Sequence, residues 1–200
     1  MLTTAAATFL AVSSAVIPVT GTDEIPARVE VVTVNGSGCP AGTAETSAGG
    51  NTFSVSYRAF FAQAGGGANP VDSRKNCQVN VRVSLPPGYT YGLAGTTYTG
   101  FAHLEAGASA LHRVSLYFQG TSPTVALNFP FTGPLTDEWR TDYRPHPTEI
   151  VYSPCGDSRN LNINAELRVS TSDPAKRSFL LADASRGIVR AKYDFAVKPC

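Results

Sequence analysis

Three histidines, His103, His112 and His146, are the side chains of this 200-residue sequence whose ordinary pKa lies near neutrality, so each could serve as a general base. None sits in a motif that would put it to work. A serine hydrolase of the elbow type needs G-x-S-x-G, because its serine rides a strained strand-to-helix turn, and that pentapeptide is absent. His103 and His112 flank an Ala/Gly-rich stretch, and His146 lies in Arg144-Pro145-His146-Pro147; all three are expected as exposed or turn residues. A copper brace of the polysaccharide-oxygenase kind needs a histidine at the mature N-terminus, and the earliest here is His103. Asp137, Glu138 and Asp142 lie close together, but Trp139 and Arg140 between them read as a solvated turn rather than a calcium loop. No metal site and no cofactor are expected.

Two further residue classes could carry chemistry or binding. Glycoside hydrolysis needs two carboxyl groups, which any strands can supply; Glu105, Glu138, Asp142, Asp157 and Glu166 are the candidates. Flat rings beside hydroxyl and amide groups suit sugars, and Tyr89, Tyr91 and Tyr98 cluster around Gly-rich turns. Trp139, Tyr117, Tyr143 and Tyr152 lie near turns or strand ends. Tyr89, Tyr91, Tyr98 and Trp139 are therefore the candidate binding residues, although tyrosine also fits half-buried strand edges. Arg74-Lys75-Asn76 reads as the solvated start of a strand. Asn35-Gly36-Ser37 is a glycosylation sequon if the source is eukaryotic, and equally a turn signal.

The four cysteines, Cys39, Cys77, Cys155 and Cys200, form no C-x-x-C pair and no His lies near one. An even, widely spaced set reads as two disulfides and leaves no thiol nucleophile. Three pairings exist; Cys39–Cys77 with Cys155–Cys200 is preferred, because each then closes a sequence-local lobe.

The elements that must position these residues are strands. Val79, Val81, Val83 and Leu85 alternate with Gln78, Asn80, Arg82 and Ser84, and Leu161, Ile163, Ala165, Leu167 and Val169 alternate with polar residues. Period-two alternation predicts half-buried antiparallel strands. Pro86-Pro87-Gly88 ends the first and Asp173-Pro174 the second. Further strands are predicted over Val29–Val34, Phe53–Tyr57, Val114–Gln119, Val125–Phe131 and Val189–Val197. Turn clusters separate them, among them Gly65-Gly66-Gly67 and Gly92 to Gly95. A short helical turn is allowed at Ala102–Gly107 or Ser178–Ala184. The expected fold is all-β, an antiparallel two-sheet β-sandwich of jelly-roll type.

Composition narrows the setting. Charged residues are only 16% of the chain, with 16 Lys and Arg against 15 acids, so nothing favours nucleic acid or an anionic membrane as partner. Leu2 to Val19 is an uncharged, largely apolar run, with Ser13 and Ala15 at the spacing signal peptidase prefers. Residues 1–20 are expected to be a signal peptide, and 21–200 a single secreted domain with no membrane span after leader removal.

Several short runs, in order, carry a family resemblance: Gly36-Ser37-Gly38-Cys39-Pro40, Arg74-Lys75-Asn76-Cys77-Gln78, Pro87-Gly88-Tyr89, Tyr98-Thr99-Gly100-Phe101-Ala102, Tyr117-Phe118-Gln119-Gly120, and Ser153-Pro154-Cys155-Gly156 ahead of Leu161-Asn162-Ile163-Asn164. From about Val32 to Cys200 the chain resembles the small secreted proteins of fungi and bacteria grouped as domain-of-unknown-function family 4360. That resemblance implies secretion and a β-rich fold; it implies no activity and no functional residues. The expected function is a non-catalytic extracellular or cell-envelope binding or structural protein, its partner a polysaccharide, a cell-wall component or another protein. The alternatives are a secreted polysaccharide or cell-wall hydrolase with a carboxylate pair, and a protein-binding effector or inhibitor.

Overall fold

A computed structural model of the chain describes residue 25 and residues 27–121, 124–182 and 191–200. The expected signal peptide lies outside these described residues. Among the described residues twelve strands follow in order: β1 Arg28–Asn35, β2 Ala44–Gly49, β3 Thr52–Tyr57, β4 Phe61–Ala64, β5 Arg74–Ser84, β6 Tyr89–Leu104, β7 Ala108–Phe118, β8 Thr124–Thr132, β9 Leu135–Tyr143, β10 Leu161–Thr171, β11 Ser178–Leu181 and β12 Ala191–Pro199. They form two antiparallel sheets, one of five strands in the order β1-β5-β10-β7-β8 and one of seven, β2-β3-β12-β6-β11-β4 with β9 on β6. The sheets pack face to face, as the alternation predicts.

Register explains the core of the five-stranded sheet. Val81 sits opposite Leu161, Val79 opposite Ile163 and Cys77 opposite Ala165. On the next strand Ile163 meets Leu116, Ala165 meets Val114 and Leu167 meets His112. Residues directly opposite share a face, so one row of apolar side chains turns inward and is buried. His112 lies in that row, fully buried, and not in the exposed or turn setting its sequence neighbours suggested. The outward side of β10 carries Asn162 and Glu166, with Asn80 donating to Asn162 at 2.8 Å and Asn160 donating to Asn80 at 2.8 Å.

The spine of the other sheet is β6, 16 residues long. Residues 89–97 pair with β12, residues 101–103 with β11, and residues 96–104 with β9. Since 101–103 are paired twice, β9 must take the edge opposite β11. The Gly92 to Gly95 stretch is thus strand interior, a correction to its reading as a turn cluster. Its glycines are sites of close approach: a Cβ on Gly92 would lie 2.5 Å from Ile150, and one on Gly95 2.0 Å from Arg144. Gly in a strand interior commonly marks such contacts. Residues 137–142, read as a solvated turn, lie within strand β9, and Ala102–Leu104 and Ser178–Leu181, read as potential helix, are strands as well. In each case pairing within the seven-stranded sheet overrides weak local propensity.

Both disulfides form with the preferred pairing, Cys39–Cys77 and Cys155–Cys200. The first ties the loop after β1 to β5. The second joins two segments that flank the start of β6: Pro199 pairs with Tyr89 along one edge, while Gly92 bridges Tyr152 and Ser153 N–H donates to the Tyr91 carbonyl at 2.8 Å along the other.

Candidate functional site

The rings singled out in the sequence divide by burial. Tyr91, Tyr98 and Trp139 are 3%, 1% and 5% exposed, so they present no face to a ligand; Tyr89 alone is half-buried. Trp139 sits opposite Gly100 on β6 and packs on His112 and Phe131. Tyr98 makes an edge contact with His112 at 4.4 Å and shares a 2.5 Å hydrogen bond with the Tyr193 hydroxyl. Burial pushes the Tyr98 and Tyr193 phenols well above their ordinary range. His112 Nδ1 pairs with the Thr141 hydroxyl at 3.1 Å, and burial pulls its pKa down to about 3. At neutral pH it is an uncharged core residue.

The other histidines are also engaged. His103 Nδ1 meets the Thr136 hydroxyl at 2.9 Å, and its Nε2 lies 3.4 Å from Glu105. His146 caps the short 3₁₀ turn Pro147–Glu149, its Nδ1 bonded to Thr148.

The five candidate acids do not converge. Glu166 lies between Arg74 and Arg168, at 2.5 Å from each, on the outer side of the five-stranded sheet. Asp157 is held by Arg159 at 2.8 Å in the loop before β10, and Glu105 lies between His103 and Lys176. Glu138 and Asp142 share the outward side of β9. Four residues of strand separate them by about 13 Å, beyond the ~5–9.5 Å that glycoside hydrolysis uses. Arg140 grips Asp142 through two nitrogens, and Thr97 adds a 2.7 Å bond; the guanidinium holds that carboxyl below the usual range.

What converges instead is the solvent side of the seven-stranded sheet, which the sequence reading did not identify. Odd-numbered residues of β6 from Thr97 to His103 face outward, in register with their neighbours. Phe179 sits opposite His103, and Phe101 opposite both Leu181 and Glu138. Phe61 also pairs with Leu181. Phe179 is 5.5 Å from Phe61, 6.2 Å from Phe101 and 5.4 Å from His103, ring centre to ring centre. The Arg177 guanidinium stands 5.6 Å over Phe61 and 5.8 Å over Phe179. All three phenylalanines are half-buried, so part of this cluster meets water.

Along the same face lies a groove of about 430 Å³ lined by Ser47, Ser54, Thr97, Thr99, Arg140 and Lys192 among others. It crosses β2, β3, β12, β6 and β9. Its two lining cations each have an acid beside them: Arg140 has Asp142, and Lys192 has Asp194 at 2.9 Å, which it shares with Arg144 outside the lining at 3.0 Å. The groove therefore combines hydroxyl groups with a planar guanidinium and an ammonium, each beside a carboxylate. Asn35, in the sequon, is exposed at the end of β1.

The family model for the domain of unknown function DUF4360 matches residues 26–200, and the chain belongs to that family. An uncharacterized secreted protein of Arthroderma benhamiae is 31% identical over 163 residues, covering 80% of this chain and 66% of that protein; the chain thus spans just under two thirds of its length. With this relative and two disulfides, the protein is a secreted one. Among solved structures, the TmCBM61 complex with β-1,4-galactotriose aligns over 88% of this chain and 89% of its own, at 12% identity and a TM-score of 0.28. A likeness that slight carries no argument about fold or ligand.

Proposed function

We propose that this DUF4360 protein is a non-catalytic extracellular binding protein whose ligand is a polysaccharide, held on the solvent side of the seven-stranded sheet. The observation that carries the reading is that face itself. A groove of hydroxyl groups and paired guanidinium runs along the same side as the Phe61, Phe101 and Phe179 cluster. Sugar hydroxyls are met by serine, threonine and arginine, while apolar C–H faces pack on rings. Cations already held by carboxylates favour an uncharged chain over an anionic one. The scatter of the acids across both sheets and a distant loop supports binding over hydrolysis, since no two share a cleft free of cations.

The test is retention of the purified mature protein on insoluble chitin, β-glucan, cellulose and peptidoglycan, with product analysis of the supernatant. Retention without released sugar is expected. Removing the central ring in Phe179→Ala should weaken it about tenfold, as a lost ring contact of about 1.5 kcal/mol implies. Thr97→Val, at the groove end of the face, should weaken it less. Released oligosaccharide would overturn the reading in favour of a hydrolase. Absence of retention on all four supports would leave a protein partner, met through a sheet edge, as the function to pursue.

A further inference from the structure

At the opposite end of β6 lies a second concave site. The turn 85–88 between β5 and β6 and the loop 153–158 enclose a cleft of about 400 Å³, within the ~300–1,000 Å³ range of small-molecule sites. The cleft is separate from the outward face of the seven-stranded sheet and shares none of its lining residues. We propose that it is a binding site for a neutral sugar ring, independent of the polysaccharide reading above.

Four observations lead there. The first is the division of the lining by segment. Val83, Leu85, Pro86, Pro87 and Tyr89 bring rigid apolar surface and one half-buried ring, whereas the loop brings Ser153, Asp157 and Ser158. A sugar has the same two aspects, C–H faces and hydroxyl edges.

The second is an unmatched hydroxyl. Ser153 is 5% exposed and its Oγ has no hydrogen-bond partner among the described residues, although the Ser153 carbonyl accepts from Thr90 Oγ1 at 2.6 Å and its N–H is satisfied by Tyr91. A buried polar group without a partner is costly. The residue lines the cleft while its Oγ is itself closed off from solvent, so a small shift of the wall on binding would let a ligand hydroxyl complete it.

The third is charge. Asp157 is the one acidic or basic side chain of the lining, and Arg159 binds its Oδ2 through Nε at 3.1 Å and through a terminal nitrogen at 2.8 Å. The carboxylate is neutralised while Oδ1 keeps its capacity to accept. Phosphates are disfavoured by that oxygen and amines by the arginine; a neutral polyol suits both.

The fourth is rigidity. The Cys155–Cys200 bridge, the Cys200 N–H bond to Gly88 carbonyl at 2.8 Å and the Tyr91 hydroxyl bond to Arg159 carbonyl at 2.9 Å fasten the loop to both strands it flanks. A site held before binding loses little freedom when filled.

The experiment is amide chemical-shift titration of the isotope-labelled mature protein with glucose, galactose, mannose and N-acetylglucosamine in turn, each into the millimolar range. At least one sugar should give saturable shifts concentrated in residues 84–90 and 153–158. Ser153→Ala and Tyr89→Ala should each weaken that binding about tenfold, the worth of one hydrogen bond or ring contact. Ser153→Ala should leave the thermal midpoint of the sugar-free protein undiminished, because its hydroxyl bonds nothing there. No saturable shift in those segments with any of the four sugars overturns the proposal. So does unchanged affinity in Ser153→Ala, which would mean that the hydroxyl serves only an internal water. Phe179→Ala should bind the sugar normally, so failure at the sheet face and failure at this cleft are read separately.

Discussion

His112 gives the sharpest test of the core. Its ring is fully buried between the sheets, against Tyr98, Phe129 and Trp139, with Thr141 as its hydrogen-bond partner. None of these neighbours changes charge below pH 7. Burial lowers its pKa from 6.5 to about 3, so the native state stays unprotonated while the unfolded chain takes up a proton. The sign follows: stability from this residue is intact above pH 6.5, falls as pH drops, and levels off below about pH 3. Each pH unit costs about 1.4 kcal/mol. By pH 4.5 the loss is about 3 kcal/mol, and the full span is about 5 kcal/mol. The comparison is between the native protein and His112→Phe, which fills the site without a titrating group. Trp139 is the single tryptophan of the chain and touches the His112 ring at 5.3 Å, so its fluorescence follows denaturant unfolding directly. Midpoints and slopes measured at pH 7, 6, 5 and 4.5 give the stability difference at each pH. It should shift by about 3 kcal/mol in favour of the variant on going from pH 7 to pH 4.5. Parallel pH profiles for the two proteins would refute the burial argument, whatever their absolute stabilities.

Two other perturbations act on the backbone. Replacing Cys39 and Cys77 together by alanine opens a bridge spanning 38 residues, and should cost about 4 kcal/mol in denaturant unfolding; a loss below about 1 kcal/mol would show that this loop is already constrained in the unfolded chain. Gly36 has φ +141° and a Cβ there would lie 2.2 Å from the Asn76 carbonyl oxygen. Gly36→Ala should therefore cost at least about 2 kcal/mol, seen as a lower thermal midpoint, and an unchanged midpoint would contradict the contact.

The sandwich and its disulfides were legible because they depend on signals a sequence carries locally. Val79–Leu85 and Leu161–Val169 announce one wet and one dry face, and cysteines that each close a short lobe limit the pairing. Strand β9 was hidden because Asp137, Glu138, Arg140 and Asp142 supply no apolar alternation; β6 gives it a partner along 96–104, and only Trp139 and Thr141 turn inward to buried positions. The solvent face was hidden for a related reason. Its rings come from β4, β6 and β11, which meet only through pairing between strands far apart in sequence, such as Phe179 with His103 and Leu181 with Phe61. Single phenylalanines at positions 61, 101 and 179 say core by type, and nothing local says they share an outer surface.

The aromatic candidates of β6 show how one residue can defeat a period-two reading. Tyr91 and Tyr98 are seven positions apart, an odd number, so a regular strand would turn them to opposite faces and leave one ring in solvent. Both are buried. The cause lies in the pairing with β12: Leu93 is opposite Phe195 and Gly95 is opposite Asp194, so Ala94 has no counterpart and the register slips there. An extra residue in one strand is a β-bulge, and it reverses which parity points inward beyond it. Before the bulge the inward residues are Tyr91 and Leu93; after it they are Thr96, Tyr98, Ala102 and Leu104. The same reversal turns Thr97, Thr99, Phe101 and His103 outward. The bulge at Ala94 therefore removes a tyrosine from the surface and supplies in exchange the hydroxyls and the ring that the proposed polysaccharide face requires, which ties the location of that face to one unpaired residue on the longest strand.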